Sequence, residues 1–289
     1  MGLKGKFNLV LSLMFLMGLT VSGYVSYNLL HKNARAEIVR NAELMLATSM
    51  SIRGYTINQI RPLLTDQVDR HFLPQTVPAY AATETIEDLR KTYPEYSYKE
   101  ATLNPTNLRN LASGWEINVV DRFRQDDALT KIVDERDSNN GRLLYIAKPI
   151  KITNAACLSC HSEPDAAPQT MLDLYGRING FGWKHNETVG AQIVTVPMTL
   201  PIENANKAFL VFMISLFTIF VLVFIALNIM LNKLIIAPII EMSETADKVS
   251  TGNFNIAEFD DSGKDEISLL YRSFNRMRRS LEQAMKLIG

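Results

Sequence analysis

The residues most able to do chemistry in this 289-residue chain form one short motif. Cys157-Leu158-Ser159-Cys160-His161 places two residues between its two thiols and an imidazole directly after the second thiol. Thiols at this spacing form thioethers with the two vinyl groups of a haem, and the adjacent imidazole binds the iron. The motif therefore predicts one covalently attached haem c per chain, with Cys157 and Cys160 as attachment sites and His161 as the proximal iron ligand.

Two other kinds of site use the same Cys-x-x-Cys spacing, namely a zinc half-site and a thioredoxin-like redox pair. A zinc site would need further thiol or imidazole ligands at a matching spacing, and the sequence has none. Both cysteines of the chain belong to this motif, which also excludes a disulfide framework beyond that pair. Haem attachment is the interpretation that uses every residue of the motif.

The sixth coordination position of the iron has several candidates. His31, His71 and His185 are the other histidines, and each is more simply a solvated surface residue. Methionine is the other common axial ligand, and the helix expected after residue 30 carries Met45 and Met50. Met50 is our preferred distal ligand and Met45 the alternative, although a methionine on such a helix more often packs in a core.

Two uncharged stretches are long enough to cross a membrane. Residues 7–30 contain no Asp, Glu, Lys or Arg, and residues 208–232 are uncharged and dense in Phe, Leu, Ile and Val. About 20 apolar residues cross the hydrocarbon core as a helix, so we predict two transmembrane helices. A cleaved signal peptide is the alternative for the first stretch, but residues 24–29 do not form a small-residue cleavage site.

The positive charges at the start of the chain predict its orientation. Lys4 and Lys6 precede the first stretch, so residues 1–6 are expected in the cytoplasm by the positive-inside rule. Residues 31–207 would then lie in the periplasm, and the tail from Lys233 would return to the cytoplasm. This predicts a two-pass protein of the bacterial inner membrane with both termini inside, and it places the haem motif on the side where c-type haem is attached.

Strand and helix patterns alternate between the two predicted spans. Residues 142–150 follow the turn-forming Asn139-Asn140-Gly141 and are rich in Leu, Tyr and Ile, while residues 189–196 alternate apolar with polar side chains, so both predict strands. Residues 83–91 predict a helix, and Pro105-Thr106-Asn107 predicts the start of another. We therefore expect an α+β domain.

A resemblance to a known family rests on several stretches of this domain. They are Arg53-Gly54-Tyr55-Thr56, Tyr93-Pro94-Glu95-Tyr96, Tyr98-Lys99-Glu100-Ala101-Thr102-Leu103-Asn104-Pro105-Thr106-Asn107, Ala155-Ala156 and Tyr175-Gly176-Arg177-Ile178-Asn179-Gly180-Phe181-Gly182-Trp183. Over most of residues 35–200 the chain resembles the periplasmic single-haem-c, PAS-like domain family, a domain of unknown function common in cyanobacteria. The resemblance implies a PAS-like sheet with a long N-terminal helix and a sensing or redox role.

The sequence departs from that family at one point. Members can use a cysteine of the N-terminal helix as second iron ligand, whereas this chain has no cysteine outside the haem motif. Thiolate ligation is therefore excluded, and a methionine, a histidine or a position open to O₂, NO or CO must replace it.

The tail at residues 233–286 contains two helical patterns separated by a polar connector. Apolar residues recur at alternating spacings of three and four in both. The first pattern comprises Ile239, Met242, Ala246 and Val249, and the second Ile267, Leu270, Phe274, Met277, Leu281, Ala284 and Ile288. Neither helix can bury such a stripe alone, so a partner chain is expected.

The tail resembles a HAMP domain. Pro238, Gly252, Asp265-Glu266-Ile267, Leu270 and Phe274-Asn275-Arg276-Met277 occupy the expected places. The resemblance implies a parallel four-helix bundle in a homodimer that relays small helix movements across the membrane, and we expect a separate cytoplasmic protein to receive the output.

These features favour two functions. The first is a haem sensor of redox state or a small gas that signals through HAMP, and the second is a membrane-tethered c-type cytochrome that passes electrons to a soluble redox partner. The 30 basic and 30 acidic residues balance, which gives no argument for nucleic-acid binding. No residue set reads as nucleophile and base, so we expect no enzymatic activity.

Overall fold

The structure is a computed structural model that describes residues 2–68, 70–139 and 141–288. It divides into two compact units. The sheet unit comprises Asn28–Ala208, and the helical unit comprises the residues up to Tyr27 together with those from Phe209 onward. Asn140 of the predicted turn lies outside the described residues, whereas Gly141 begins the strand predicted after it.

A four-stranded antiparallel sheet forms the centre of the sheet unit. Its strands are β1 (Ser97–Thr102), β2 (Ile132–Ser138), β3 (Gly141–Lys151) and β4 (Thr188–Pro197), in the order β1-β4-β3-β2. The strands predicted at residues 142–150 and 189–196 are confirmed as β3 and β4. The first and last strands of the domain are thus neighbours, which brings together segments about 90 residues apart in sequence.

The sheet is buried on both faces. The α1-side core contains Ile38, Ala42, Met45, Leu46, Ala82, Ile86, Tyr98, Leu144, Ile146, Val194, Val196 and Met198. The α4-side core contains Ala101, Ala112, Val119, Val120, Phe123, Ile132, Tyr145, Ala147, Ala191 and Ile193. Because successive side chains of a strand point to opposite faces, β4 contributes to both cores. Its polar Gln192 and Thr195 are buried too, so the apparent alternation of β4 does not mark a solvent-facing side.

Helices cover the two faces. The long helix α1 (Leu3–Tyr55) continues through a π-helical turn at Thr56–Ile60 into α2 (Arg61–Val68), and α3 (Pro78–Arg90) packs with α1 on one face. The helix α4 (Trp115–Gln125) lies on the other face. Ile38, Ala42 and Met45 of α1 are buried, since their spacing of four and three places them on one side of the helix.

The helix predicted after Pro105-Thr106-Asn107 is shorter than expected. It is a 3₁₀ turn at Leu108–Asn110, in which the side chain of Asn107 accepts a hydrogen bond from the backbone N–H of Arg109 at 3.1 Å. The cap was therefore predicted correctly, but the next full helix begins only at Trp115. The helix predicted at residues 83–91 is α3, which begins five residues earlier because Pro78 fits its first turn.

The helical unit contains most of each predicted span, since it comprises the residues up to Tyr27 and those from Phe209 onward. Within the described part of the chain, two helices are long and apolar enough to cross a membrane, judged by length and composition. The first is α1 and the second includes α7 (Thr199–Leu231), which passes through a π-helical turn at Asn232–Ile236 into α8 (Ala237–Ser250). Pro238 lies in the first turn of α8, as expected for a residue without a free N–H.

The two predicted helices of the tail are present. The connector after α8 leads to α9 (Glu266–Ile288). The buried side chain of Asn275 accepts a hydrogen bond from the backbone N–H of Phe259 at 3.2 Å and donates one to its carbonyl at 2.9 Å. The ring of Phe259 also stacks on that of Tyr271, with centroids 4.4 Å apart. These contacts fix the connector to α9.

Candidate functional site

The haem motif lies on two short consecutive helical turns. A 3₁₀ turn at Ala155–Cys157 leads directly into α5 (Leu158–His161). The side chain of Asn154 caps the first turn by accepting a hydrogen bond from the N–H of Ala156 at 2.9 Å. Both cysteines are free thiols of intermediate exposure, as attachment to a bound group would require.

The imidazole of His161 is held by its Nδ1 atom. Nδ1 lies 2.8 Å from the carbonyl oxygen of Gly180, and since a carbonyl only accepts, Nδ1 carries the proton. The ring also stacks on that of Trp183, with centroids 4.1 Å apart and planes 15° apart. This tautomer leaves the lone pair on Nε2, which is the arrangement of a metal-binding histidine.

Burial favours the neutral form of this imidazole. The pKa of His161 is lowered mainly by burial, and the hydrogen bond to Gly180 opposes that effect only in part. A neutral ring is the form that donates its lone pair to a metal. The local environment therefore prepares His161 for the role that the motif predicts.

The glycine-rich loop after the motif is tied back to it. The N–H of Gly182 donates to the carbonyl of Ser162 at 2.7 Å, and the N–H of Trp183 donates to that of His161 at 3.1 Å. Gly180 has a φ of +86°, a conformation that residues with a side chain rarely adopt. The loop thus reaches the motif through backbone contacts that no motif pattern could indicate.

Two residues beyond β1 complete the surroundings of the imidazole. The side chain of Asn104 accepts from the N–H of Gly180 at 3.0 Å and donates to the carbonyl of Phe181 at 3.1 Å. Thr106 places its hydroxyl 3.5 Å from Nδ1 of His161. Neither residue was predicted to take part in the site, although both belong to the stretch that carries the family resemblance.

An apolar cluster lies against the motif. Met171 and Leu172 of α6 (Gln169–Tyr175) are buried with Phe181, and Phe72, Cys160, Ala167 and Tyr175 pack against them. The rings of Phe72 and Tyr175 meet edge to face, with centroids 5.9 Å apart. An apolar surface beside a haem-attachment motif suits the apolar faces of the porphyrin ring.

Met45 and Met50, the candidate distal ligands, do not belong to the apolar cluster at the motif. Met45 is 8% exposed and belongs to the α1-side core, and Met50, also on α1, is 41% exposed. Neither is among the side chains that pack around Cys160. His71 is exposed and directly precedes Phe72, which does pack there. Distal ligation by Met50 stays a prediction.

A buried ion pair lies on the α1 side of β1. A guanidinium nitrogen of Arg53 contacts Oε1 of Glu100, which also accepts a hydrogen bond from the hydroxyl of Tyr98 at 2.7 Å. Burial acts against the charge of Arg53, but the attraction of Glu100 and Tyr98 outweighs it and raises its pKa. Burial together with the charge of Glu100 raises the pKa of Tyr98. These groups form a charged link between α1 and β1.

The residues of the motif fit a haem. Two free thiols, an imidazole with its lone pair on Nε2 and an adjacent apolar cluster provide the attachment, the ligand and the packing surface that the group needs. This fit rests on the donor set and on the tautomer of His161.

Comparison with known proteins identifies two regions. The Tll0287-like family model (Tll0287) matches residues 31–197, and the HAMP domain model matches residues 230–283. No curated protein matches the chain. Among solved structures, the crystal structure of the cyanobacterial heme-protein Tll0287 is similar to this chain, with 16% sequence identity and a TM-score of 0.35. The aligned region covers 40% of this chain and 69% of the Tll0287 chain. This structural similarity is too weak to carry an argument. The first family match spans more than half of the chain, so the protein belongs to the Tll0287-like family and carries a HAMP domain after the family domain.

Proposed function

We propose that this protein is a membrane-bound c-type haem sensor that detects redox state or a small gas in the periplasm. It relays that state through its HAMP domain to a separate output partner. The observation that carries the proposal is the hydrogen bond from Nδ1 of His161 to Gly180, because it prepares Nε2 as a ligand in the same motif as two free thiols. The chain belongs to the Tll0287-like family, and Tll0287 is described as a cyanobacterial heme-protein.

Cys157 and Cys160 would hold the haem through thioethers, and His161 would be the proximal ligand. When bound, the haem would supply an iron that changes oxidation state, and Met50, Met45 or a diatomic gas would be its second ligand. The protein holds the imidazole neutral and orients it through Gly180. The cluster of Met171, Leu172 and Phe181 would keep water from one side of the group.

The location in the inner membrane rests on the two apolar helices and on the charges that flank them. Lys4 and Lys6 at the start of the chain favour a cytoplasmic N-terminus, and the sheet unit would then lie in the periplasm. A PAS-like assignment for that unit is supported by an antiparallel sheet in which the first and last strands are neighbours and helices cover both faces.

The tail supports a homodimer. Leu270, Met277 and Leu281 of the second apolar stripe are 40%, 49% and 44% exposed in a single chain. Exposed apolar stripes at heptad spacing are buried when two chains form a four-helix bundle. A HAMP domain would then present the state of the sheet unit to a cytoplasmic partner.

The haem assignment is tested on the full-length chain matured in cells that attach haem c. We expect the chain to retain haem on a denaturing gel, and Cys157→Ala together with Cys160→Ala to lose it. The matched control is Ser159→Ala, which changes an exposed residue between the two thiols and should keep the haem. A wild-type chain that loses its haem on denaturation would refute covalent attachment.

A membrane-tethered electron carrier is the second candidate. The intermediate exposure of both motif cysteines favours it, because a haem edge near the surface is what a soluble redox partner needs. A haem that does not bind CO and that exchanges electrons rapidly with a soluble cytochrome would support the electron carrier. CO binding would support the sensor.

A further inference from the structure

We infer that Asn104 is a positioning residue that sets the electron-donating strength of His161 by fixing the carbonyl group of Gly180. The inference rests on the proposed haem attachment, since it concerns the proximal ligand of that haem. Asn104 itself touches neither the imidazole nor either thiol in any described contact.

The two hydrogen bonds of Asn104 bind the backbone groups before and after the carbonyl of Gly180, which is the acceptor for His161. Its Oδ1 accepts from the N–H of Gly180, and its Nδ2 donates to the carbonyl of Phe181. The carbonyl of Gly180 lies in the peptide between these two groups. With both neighbouring peptides held by one side chain, that peptide has little freedom to rotate away from Nδ1 of His161.

The rest of the loop is held by backbone hydrogen bonds to the motif and the residue after it. The N–H groups of Gly182 and Trp183 donate to the carbonyls of Ser162 and His161. Together with the two bonds of Asn104, four hydrogen bonds hold a short segment in one place. Asn104 supplies the two that come from outside the motif and its loop.

The close approach of Gly180 to Thr106 supports the same role. A Cβ atom on Gly180 would lie 2.8 Å from both Cα and the backbone nitrogen of Thr106. Asn104 and Thr106 both lie in the segment that follows β1. Asn104 hydrogen-bonds the backbone of the loop at Gly180 and Phe181, and Thr106 packs directly against Gly180. The acceptor is built into the fold rather than supplied by a mobile loop.

The consequence concerns the iron. A hydrogen bond from the free N–H of a ligating histidine to a carbonyl raises the basicity of the ligand, and second-shell partners of this kind tune the metal. A more basic proximal ligand stabilises the oxidised iron relative to the reduced one. Loss of the Asn104 clamp should therefore weaken the donor and raise the reduction potential.

The test compares variants of the full-length haem-loaded chain by potentiometric titration. In Asn104→Ala we expect the ratio of reduced to oxidised haem at a fixed potential to rise about tenfold, which is about 59 mV for a one-electron couple. Asn104→Gln keeps the amide but displaces it by one methylene group, so it should shift the potential in the same direction by less. The reduction potential of Asn104→Gln still tests the inference if Asn104→Ala does not fold.

The matched control is Asn107→Ala. Asn107 lies three residues further along and caps the 3₁₀ turn at Leu108–Asn110. Its loss disturbs the chain close to Asn104, and its described hydrogen bond does not involve residues 180–183. A control with unchanged potential beside a shifted Asn104→Gln supports the inference. Equal potentials in Asn104→Gln and wild type overturn it. Haem staining on denaturing gels distinguishes failure of this inference from failure of the proposed function. A wild-type chain without covalent haem would refute haem attachment itself, whereas unchanged potentials in a haem-loaded chain would refute only the role of Asn104.

Discussion

At the scale of single residues, the site depends on Gly180. This residue places its carbonyl against Nδ1 of His161, and a Cβ added to it would lie 2.8 Å from the backbone nitrogen of Thr106. Glycine can adopt its φ of +86° without strain, because it has no Cβ atom that would clash with the backbone. The imidazole of His161 is thus oriented by a residue without a side chain.

Gly180→Ala should destabilise the protein and disturb the haem site. The added methyl group would overlap Thr106, and overpacking of this kind costs about 1 to 3 kcal/mol, to which the unfavourable φ adds. We expect a lower thermal midpoint for the full-length chain in detergent, followed by circular dichroism. Gly54→Ala is the control, because Gly54 lies in α1 with nothing within 4 Å of a new Cβ. It should stabilise the helix by about 0.5 to 1 kcal/mol, and a similar loss in both variants would contradict the role of Gly180.

At the scale of elements, the link between α1 and β1 is the feature with the clearest energetic consequence. The side chains of Arg53 and Glu100 are 21% and 6% exposed, so the pair is largely removed from water. Other ion pairs between α1 and the sheet region are more exposed, such as Glu43 with Lys131 at 47% and 42%. Loss of one partner of the Arg53–Glu100 pair would therefore leave a charge that is largely shielded from water.

Arg53→Met should weaken this link strongly. It leaves the carboxylate of Glu100 buried with only the hydroxyl of Tyr98 as a described partner, and breaking a buried pair in this way costs about 3 to 5 kcal/mol. Denaturant unfolding of the full-length chain should show the loss. Glu43→Gln, which breaks the exposed pair, should cost less than about 1 kcal/mol. If the double variant Arg53→Met with Glu100→Met is no more stable than Arg53→Met alone, the uncompensated charge is not the cause.

At the scale of the whole molecule, the two native cysteines make the relay testable. Both lie in the haem motif, so a cysteine introduced into α9 is the only free thiol once haem is attached. Leu281 is 44% exposed and belongs to the apolar stripe expected at the dimer interface. Crosslinking at this position therefore reports on the packing of the tail helices.

We expect Leu281→Cys to form a chain-to-chain adduct with a short bismaleimide in native membranes. Its yield should differ at least twofold between oxidised and reduced haem, or with and without CO, because a relay requires the bundle to have two arrangements. Ser280→Cys is the control, since Ser280 is exposed and lies off the stripe. Yields that are identical in every state of the haem would rule out the relay and leave the electron carrier.

Much of the fold followed from local patterns, and the parts that did not have physical reasons. β2 was missed because its sequence, Ile132–Ser138, is dominated by charged residues, which an edge strand tolerates on its outer side. The helix after Asn107 was predicted too long, because its cap is real but the chain leaves the helical conformation after Asn110. The alternation in β4 predicted a strand correctly, but it did not indicate that the polar Gln192 and Thr195 are buried, because helices cover both faces of the sheet.

The sequence by itself determined the haem motif, the two apolar stretches and the paired stripes of the tail, because each is a spacing between residues close together along the chain. Only the tertiary structure decided which atoms complete the site. Asn104 and Gly180 are 76 residues apart. They meet because β1 pairs antiparallel with β4, so the segment after β1 and the loop before β4 lie at the same end of the sheet. Contacts of that kind depend on the packing of whole elements, which no local spacing encodes.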